Sequence, residues 1–475
     1  MSLTAETALG GLHGAPHDGV VQFRGVPYAR PPLGDLRFRP PEPPEPWAGR
    51  LDATVHGPIA PQGPSRLRVA VGDFARPQSE DCLTLTITTP APDGERRPVI
   101  VWLHGGGYGT GAGSLDWYDG ASLARDGDVV VVGVNYRLGP LGYLACDGLG
   151  DGQMGLRDMI AAIRWVSGNI ASFGGDPGEI TVMGQSAGAH SAMFMLTMPD
   201  VRRLFRRVIL QSAPAGIAPF SSALAAGWTR RYLDVLELPA SRAAQWLRSA
   251  EPGALLRAGS ILARDAQLGQ VEPPFLPVVD ELADPAVFLE AAGRGAAEGG
   301  VQIIVGTNRD EARAIVAGDQ RAEGASGAEV DGYLGAAALE AGRVRFYRQR
   351  LAAGRPVDVL AEAMTEVAFV RPSLQFAGHA ARAGASVWAY QLDWAPAGSP
   401  FGACHCLELP LVFGNDRAWS GAPMLAGSSG EDPGRRRVAR QMRAAWLSFA
   451  RHGHPGADMP WLDRIVTPPT ERKEQ

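Results

Sequence analysis

The chain all but lacks lysine. Lys473 is the only one in 475 residues, so nearly all positive charge is arginine. That bias reads as coding preference and says nothing about a substrate. An excess of positive charge is missing as well. The formal net charge is −5 and the isoelectric point about 6.0, which gives no reason to expect a nucleic-acid partner. Long apolar runs are absent. The longest, such as Val129 to Val134, are too short to span a bilayer and suit central strands buried on both faces. Residues 1 to 20 are mixed and glycine-rich, without the apolar stretch of a secretory leader. The expectation is a cytoplasmic protein with no membrane partner. Hydrophobic content of 45% and charged content of 20% are ordinary for a globular chain.

What is present is an alternation of strand-like and helix-like segments, which argues for a largely parallel sheet covered on both faces. Phe23 to Val26, Leu83 to Thr88, Val99 to Leu103, Val129 to Val134, Val208 to Gln211, Val301 to Val305 and Val387 to Leu392 read as strands. Met154 to Ile170 reads as a helix, with Ile160, Ile163 and Val166 at helical spacing. Residues 218–300 and 343–376 are rich in helix formers, and Arg436 to Arg451 reads as a terminal helix. Gly421 to Gly434 reads as a flexible loop. The length would hold two or three average domains, but insertion-rich α/β folds form single units. One unit over 1–475 is expected, with helical insertions at 218–300 and 320–380.

The most informative stretch is Ile180 to His190. Ser186 stands between glycines in Gly184-Gln185-Ser186-Ala187-Gly188. A β-branched run precedes it and a helix-forming run, Ala187 to Met195, follows. That is the context of a nucleophile elbow, which lifts a serine hydroxyl above the sheet. Upstream, His104-Gly105-Gly106-Gly107 follows the strand Val99 to Leu103. Consecutive glycines let bare backbone N–H groups converge on a developing oxyanion, joined by the N–H after the nucleophile. Gly106, Gly107 and Ala187 are the expected donors.

A serine nucleophile needs a base, and the base an orienting carboxylate. There are nine histidines. His13, His17 and His56 lie far upstream, His104 belongs to the glycine loop, and His379 lies in a helix without a motif. His452 and His454 sit in a polar tail. His190 is expected to project along the elbow helix rather than over the serine. His405 remains, in a loop after Val387 to Leu392. The acid should lie between Ser186 and His405. Asp310 and Glu311 both follow the strand Val301 to Val305, and residue chemistry alone leaves the choice open.

Further motifs stand in a specific order. They are Phe23-Arg-Gly-Val-Pro-Tyr-Ala, Ser79-Glu-Asp-Cys-Leu83, HGGGY at 104–108, Asn135-Tyr-Arg-Leu-Gly139, Asn169 to Pro177, the elbow, Thr307 to Glu311 and GACHCLELP at 402–410. With them the chain resembles the type B carboxylesterases of the carboxylesterase–cholinesterase family, from about Phe23 to about Trp461. The resemblance implies an α/β-hydrolase fold with helical segments capping the site. It implies a Ser186, Glu311, His405 triad and hydrolysis of small-molecule esters through an acyl-enzyme. It needs no cofactor, and suits a monomer or weak homodimer. Arg37, Glu80 and Arg137 match family positions that form buried salt bridges.

The chain departs from the family pattern at several positions. Gln185 replaces the usual glutamate before the nucleophile, and Ala312 the usual glycine after the acid. The cysteine that the family pairs with Cys82 is Ala60, so that disulfide is lost, which suits a reducing compartment. Cys404 and Cys406 flank His405. A metal reading of that triplet lacks two more ligands at sensible spacing, so no metal is expected. Phe74 is the only aromatic residue between Pro61 and Ser79. Together with the missing glutamate, this favours neutral short- to medium-chain esters over choline esters. Amide, lactone or acyl-transfer chemistry on the same triad is the alternative, since a triad does not encode its leaving group. A non-catalytic binding relative is the remote one.

Overall fold

The computed structural model describes residues 2–264, 267–337, 339–456 and the backbone of 462–465. Lys473 and Trp461 lie outside the described residues. Ten strands form the main sheet: β1 (Ala15–His17), β2 (Val20–Pro27), β3 (Thr84–Thr89), β4 (Arg97–Leu103), β5 (Val130–Val134), β6 (Gly175–Gln185), β7 (Arg207–Gln211), β8 (Gln302–Asn308), β9 (Val387–Leu392) and β10 (Leu462–Ile465). Their spatial order is β10-β9-β8-β7-β6-β4-β5-β3-β2-β1. The six strands from β9 to β5 run parallel, and the flanking strands pair antiparallel. The sequence-based strands all lie in this sheet, several a few residues longer than expected. This is an α/β-hydrolase fold.

Each central strand is apolar throughout because both faces are covered. Alternate residues of β4 supply different cores. Val99, Val101 and Leu103 pack on one side, Ile100 and Trp102 on the other. Helices α1 (Met154–Asn169) and α2 (Ala187–Thr197) belong to the first core, and α3 (Pro433–His452) to the second. A third apolar cluster lies beside the site. It joins Tyr108 and Tyr143 to the helices Ser222–Val235, Ala240–Ser249 and Pro252–Arg264.

Three expectations change in detail. The 218–300 segment is not helical throughout, because Pro273, Pro274 and Pro277 keep that stretch extended, and Phe220 bridges to Val278. The 343–376 segment is broken after Ala353, where Gly354 and Pro356 end one helix and start the next. In 421–434, Pro423–Leu425 forms a turn that buries Met424 and Leu425.

Candidate active site

The register of the parallel strands assembles the site. Gly184 of β6 pairs with Leu103 of β4 on one side and Leu210 of β7 on the other. The residues that follow β4 and β6 therefore emerge side by side at one edge of the sheet. Chain leaving β8 and β9, which are also neighbours, emerges at the same edge. Ligands in open α/β sheets bind at these carboxyl ends.

Ser186 sits between β6 and α2 at φ 53° and ψ −123°, a left-handed conformation that costs a non-glycine residue energy. The flanking glycines follow from packing. A Cβ on Gly184 would strike the backbone of Gly188 and Ala189, and one on Gly188 would strike the Leu103 carbonyl. The turn is pinned by the Ser186 N–H donating to the Gln211 carbonyl at 2.9 Å. Beside it, the N–H groups of Gly106, Gly107 and Ala187 have no acceptor among the described residues.

His405 Nδ1 lies 2.6 Å from Glu311 Oε2. The other Glu311 oxygen accepts the Asn308 N–H at 2.7 Å. The carboxylate therefore fixes a proton on Nδ1 and leaves the Nε2 lone pair free. Both side chains are buried. Burial resists charging of the ring, but the Glu311 carboxylate more than reverses this and raises the His405 pKa. Asp310 does not reach the ring. Its Oδ2 accepts the Ala403 N–H and pairs with Arg309, each at 2.9 Å, so it braces the loop that carries His405.

Two neighbours of His405 were not placed against it in the sequence reading. Gln185 Nε2 lies 3.1 Å from His405 Nε2 and 3.4 Å from Cys406 Sγ. With Nδ1 protonated, the amide is the donor, and its two hydrogens serve ring and thiol. Ser186 itself makes no side-chain hydrogen bond among the described residues. Glu408, three residues past His405, is buried and accepts from Asn308 Nδ2 at 2.6 Å. Burial, then the charge of Glu311, pushes its carboxyl up to about 7. Its offset from His405 in GACHCLELP was the available signal.

His190 borders the cavity but is fully buried. Its ring nitrogens lie against the Tyr108 hydroxyl and the Ile217 carbonyl, and among the described residues the ring makes no hydrogen bond to Ser186 or His405. All four cysteines are free, and burial pushes the thiols of Cys82, Cys404 and Cys406 up. Cys82 shares a small cavity with Ala60. Among the described residues no three His, Cys, Asp or Glu side chains gather as a metal site. No helix there is long and apolar enough to cross a membrane. Arg37 pairs with Glu80 at 2.7 Å, and Arg137 with buried Asp158 at 2.6 Å.

The cavity over Ser186 holds about 220 Å³. Gly106, Gly107 and Ala187 line it together with Ser186. Trp228, Leu256, Leu262, Phe275 and Leu276 come from the helical cap segment and the extended stretch after it. Among the described residues, Arg66 and Glu272 are the only lining residues of fixed charge.

The carboxylesterase family matches residues 2–472. The chain belongs to that family. It is 37% identical over 463 residues to the phenmedipham hydrolase of Pseudarthrobacter oxydans, covering 96% of this chain and 91% of the relative. Against the para-nitrobenzyl esterase of Bacillus subtilis (strain 168) it is 35% identical over 458 residues, covering 95% and 90%. A solved Geobacillus stearothermophilus carboxylesterase, at pH 6.2, superposes with a TM-score of 0.82 at 35% identity, over 96% of this chain and 92% of the other. The protein is a carboxylic ester hydrolase of the serine type, and its substrate is an ester.

Proposed function

We propose that Ser186, Glu311 and His405 carry the hydrolysis, with Gly106, Gly107 and Ala187 as oxyanion donors. One observation carries this reading. Ser186 and His405 open into a single cavity beside three unused backbone N–H groups, with Glu311 buried behind the imidazole. For catalysis the Ser186 hydroxyl replaces Gln185 on Nε2, since catalytic contacts absent from resting sites form in the substrate complex. Nε2 takes the proton as Oγ bonds to the ester carbon. The oxyanion collapses, the bond to the alcohol oxygen breaks, and His405 returns the proton to that oxygen. Water then attacks the acyl-enzyme by the same route and frees Ser186. Each oxyanion donor is worth about 3 kcal/mol in such a step.

The preferred substrates are neutral esters with short to medium acyl chains. The cavity is small and mostly apolar, and its two fixed charges among the described residues, on Arg66 and Glu272, are opposite. Gln185 brings no negative charge, and Phe74 packs against Trp117. Trp228 does line the cavity, but the Arg231 guanidinium already lies 4.6 Å from its ring centre. The chain acts as one hydrolase unit over 1–475, with cap segments at 218–300 and 320–380. Its free thiols support a reducing, cytoplasmic setting, and we take it to act as a monomer or weak homodimer.

The test is a fluorophosphonate adduct mapped by mass spectrometry, followed by kcat/KM on matched ethyl and choline butyrates. The adduct should sit on Ser186, and the neutral ester should win. An adduct on another serine sinks the triad, and a choline preference beyond a few-fold sinks the pocket reading.

A further inference from the structure

The oxyanion donors come from two separate pieces of chain. Gly106 and Gly107 belong to the loop after β4, while Ala187 opens α2. Catalysis needs these N–H groups aimed at one point, and an error near 1 Å is costly. Something must hold loop and helix in register.

Tyr108 follows Gly107 directly and is itself left-handed, at φ 59°. Such a conformation costs a tyrosine roughly 1 kcal/mol or more. Its ring is buried, and its hydroxyl lies 2.8 Å from His190 Nδ1. His190 stands one turn along α2 from Ala187. Its Nε2 lies 2.9 Å from the Ile217 carbonyl, which can only accept. The proton must then be on Nε2, and Tyr108 O–H donates to Nδ1. Ser191 Oγ, which donates to the Ala187 carbonyl at 2.8 Å, also lies 3.5 Å from the Tyr108 hydroxyl. The His190 ring packs edge-on against Phe194 and Phe288, with centroids 5.0 and 5.4 Å away. Both nitrogens are engaged, so His190 has no lone pair to offer as a base.

We propose that Tyr108 and His190 form a buried brace that locks the glycine loop to the elbow helix and so sets the geometry of the oxyanion hole. Both are positioning residues, and the proposal rests on the assignment of Gly106, Gly107 and Ala187 given above. Burial pulls the His190 pKa down to about 4, so the neutral ring persists wherever His405 works as a base.

The experiment compares Tyr108→Phe, His190→Leu, the double variant and His190→Asn with the parent enzyme. Each is first labelled at Ser186 with fluorophosphonate, so a failed triad assignment shows as labelling elsewhere in the parent itself. Tyr108→Phe removes one oxygen and keeps the packing. It should lose about 10- to 100-fold in kcat, within the cost of losing one donor outright. KM should stay within about threefold, and the acid limb of the pH profile should not move, since the base is untouched. Inhibition by a trifluoromethyl ketone, which binds as an oxyanion, should weaken by the same factor as kcat. The double variant should be no worse than the worse single one. His190→Asn, whose amide oxygen can take the place of Nδ1, should recover part of the loss. Parent-like kcat in Tyr108→Phe, a loss confined to KM, or a lowered Tm with unchanged kcat each overturns the brace.

Discussion

Replacing Glu311 by glutamine keeps size and shape and removes one charge. The side-chain oxygen can still accept the Asn308 N–H, now held at 2.7 Å. The amide nitrogen is then left facing His405 Nδ1 across the present 2.6 Å contact. Two donors cannot share that line, so the ring proton must move to Nε2. There it meets the Gln185 amide, itself a donor 3.1 Å away, and the lone pair that should receive the Ser186 proton is gone. Loss of the correct tautomer in a comparable triad costs about 10⁴ in kcat, or roughly 5.5 kcal/mol of barrier. Asp310→Asn should behave differently. It weakens a charge-assisted bond to the Ala403 N–H and a half-exposed pair with Arg309, worth about 1.5 to 3 kcal/mol of stability at most. Its kcat should stay within about tenfold of the parent. The assay is p-nitrophenyl butyrate turnover, normalised by active-site titration, with thermal melts of both variants. If Asp310→Asn loses more activity than Glu311→Gln, the tautomer argument is refuted. It is also refuted if Glu311→Gln keeps a tenth of the parent rate.

Gln185→Glu should move the acid limb of kcat/KM upward by about one pH unit. A carboxylate near 4 Å from the imidazolium favours it by up to about 4 kcal/mol, most of which burial of the new charge offsets. A raised His405 pKa keeps the base protonated to higher pH, so activity is lost on the acid side and retained on the alkaline side; an unmoved limb would contradict the Gln185 contact. Tm should be the same with and without reductant, since all four cysteines are free; a large drop on reduction, with a cross-link found by peptide mapping, would refute this.

Much of this protein was legible without coordinates. The period of apolar residues marks the central strands, because a strand buried on both faces has no polar alternation to hide it. The elbow and the glycine loop are local devices: Gly106, Gly184 and Gly188 answer to backbone within a few residues or on the adjacent strand, and Gly107 to its own positive φ, so spacing reveals them. Elimination among the histidines left His405 because His104 was taken up by the glycine loop, His190 by the elbow helix, and the remainder sat in segments without a site motif. Residue chemistry could not separate Asp310 from Glu311. Both stand at the end of the same strand, and only their rotation about the chain decides which carboxylate meets the ring; family resemblance, not physics, pointed to Glu311.

The tertiary structure alone decided what crosses the sheet and the cap. The contacts of Gln185 with His405, of Tyr108 with His190, of Arg137 with Asp158 and of Asn308 with Glu408 join residues 220, 82, 21 and 100 positions apart. Their partners are set by strand register and helix rotation, to which no local pattern corresponds. The elevated carboxyl of Glu408 likewise needs burial and a second carboxylate at once. The sequence by itself therefore determined which chemistry the chain carries, because nucleophile, donors and base each need a particular residue type on a particular turn. Which side chains aim and tune that chemistry was decided only by packing, since a few ångströms between distant segments separate a positioning residue from a filler.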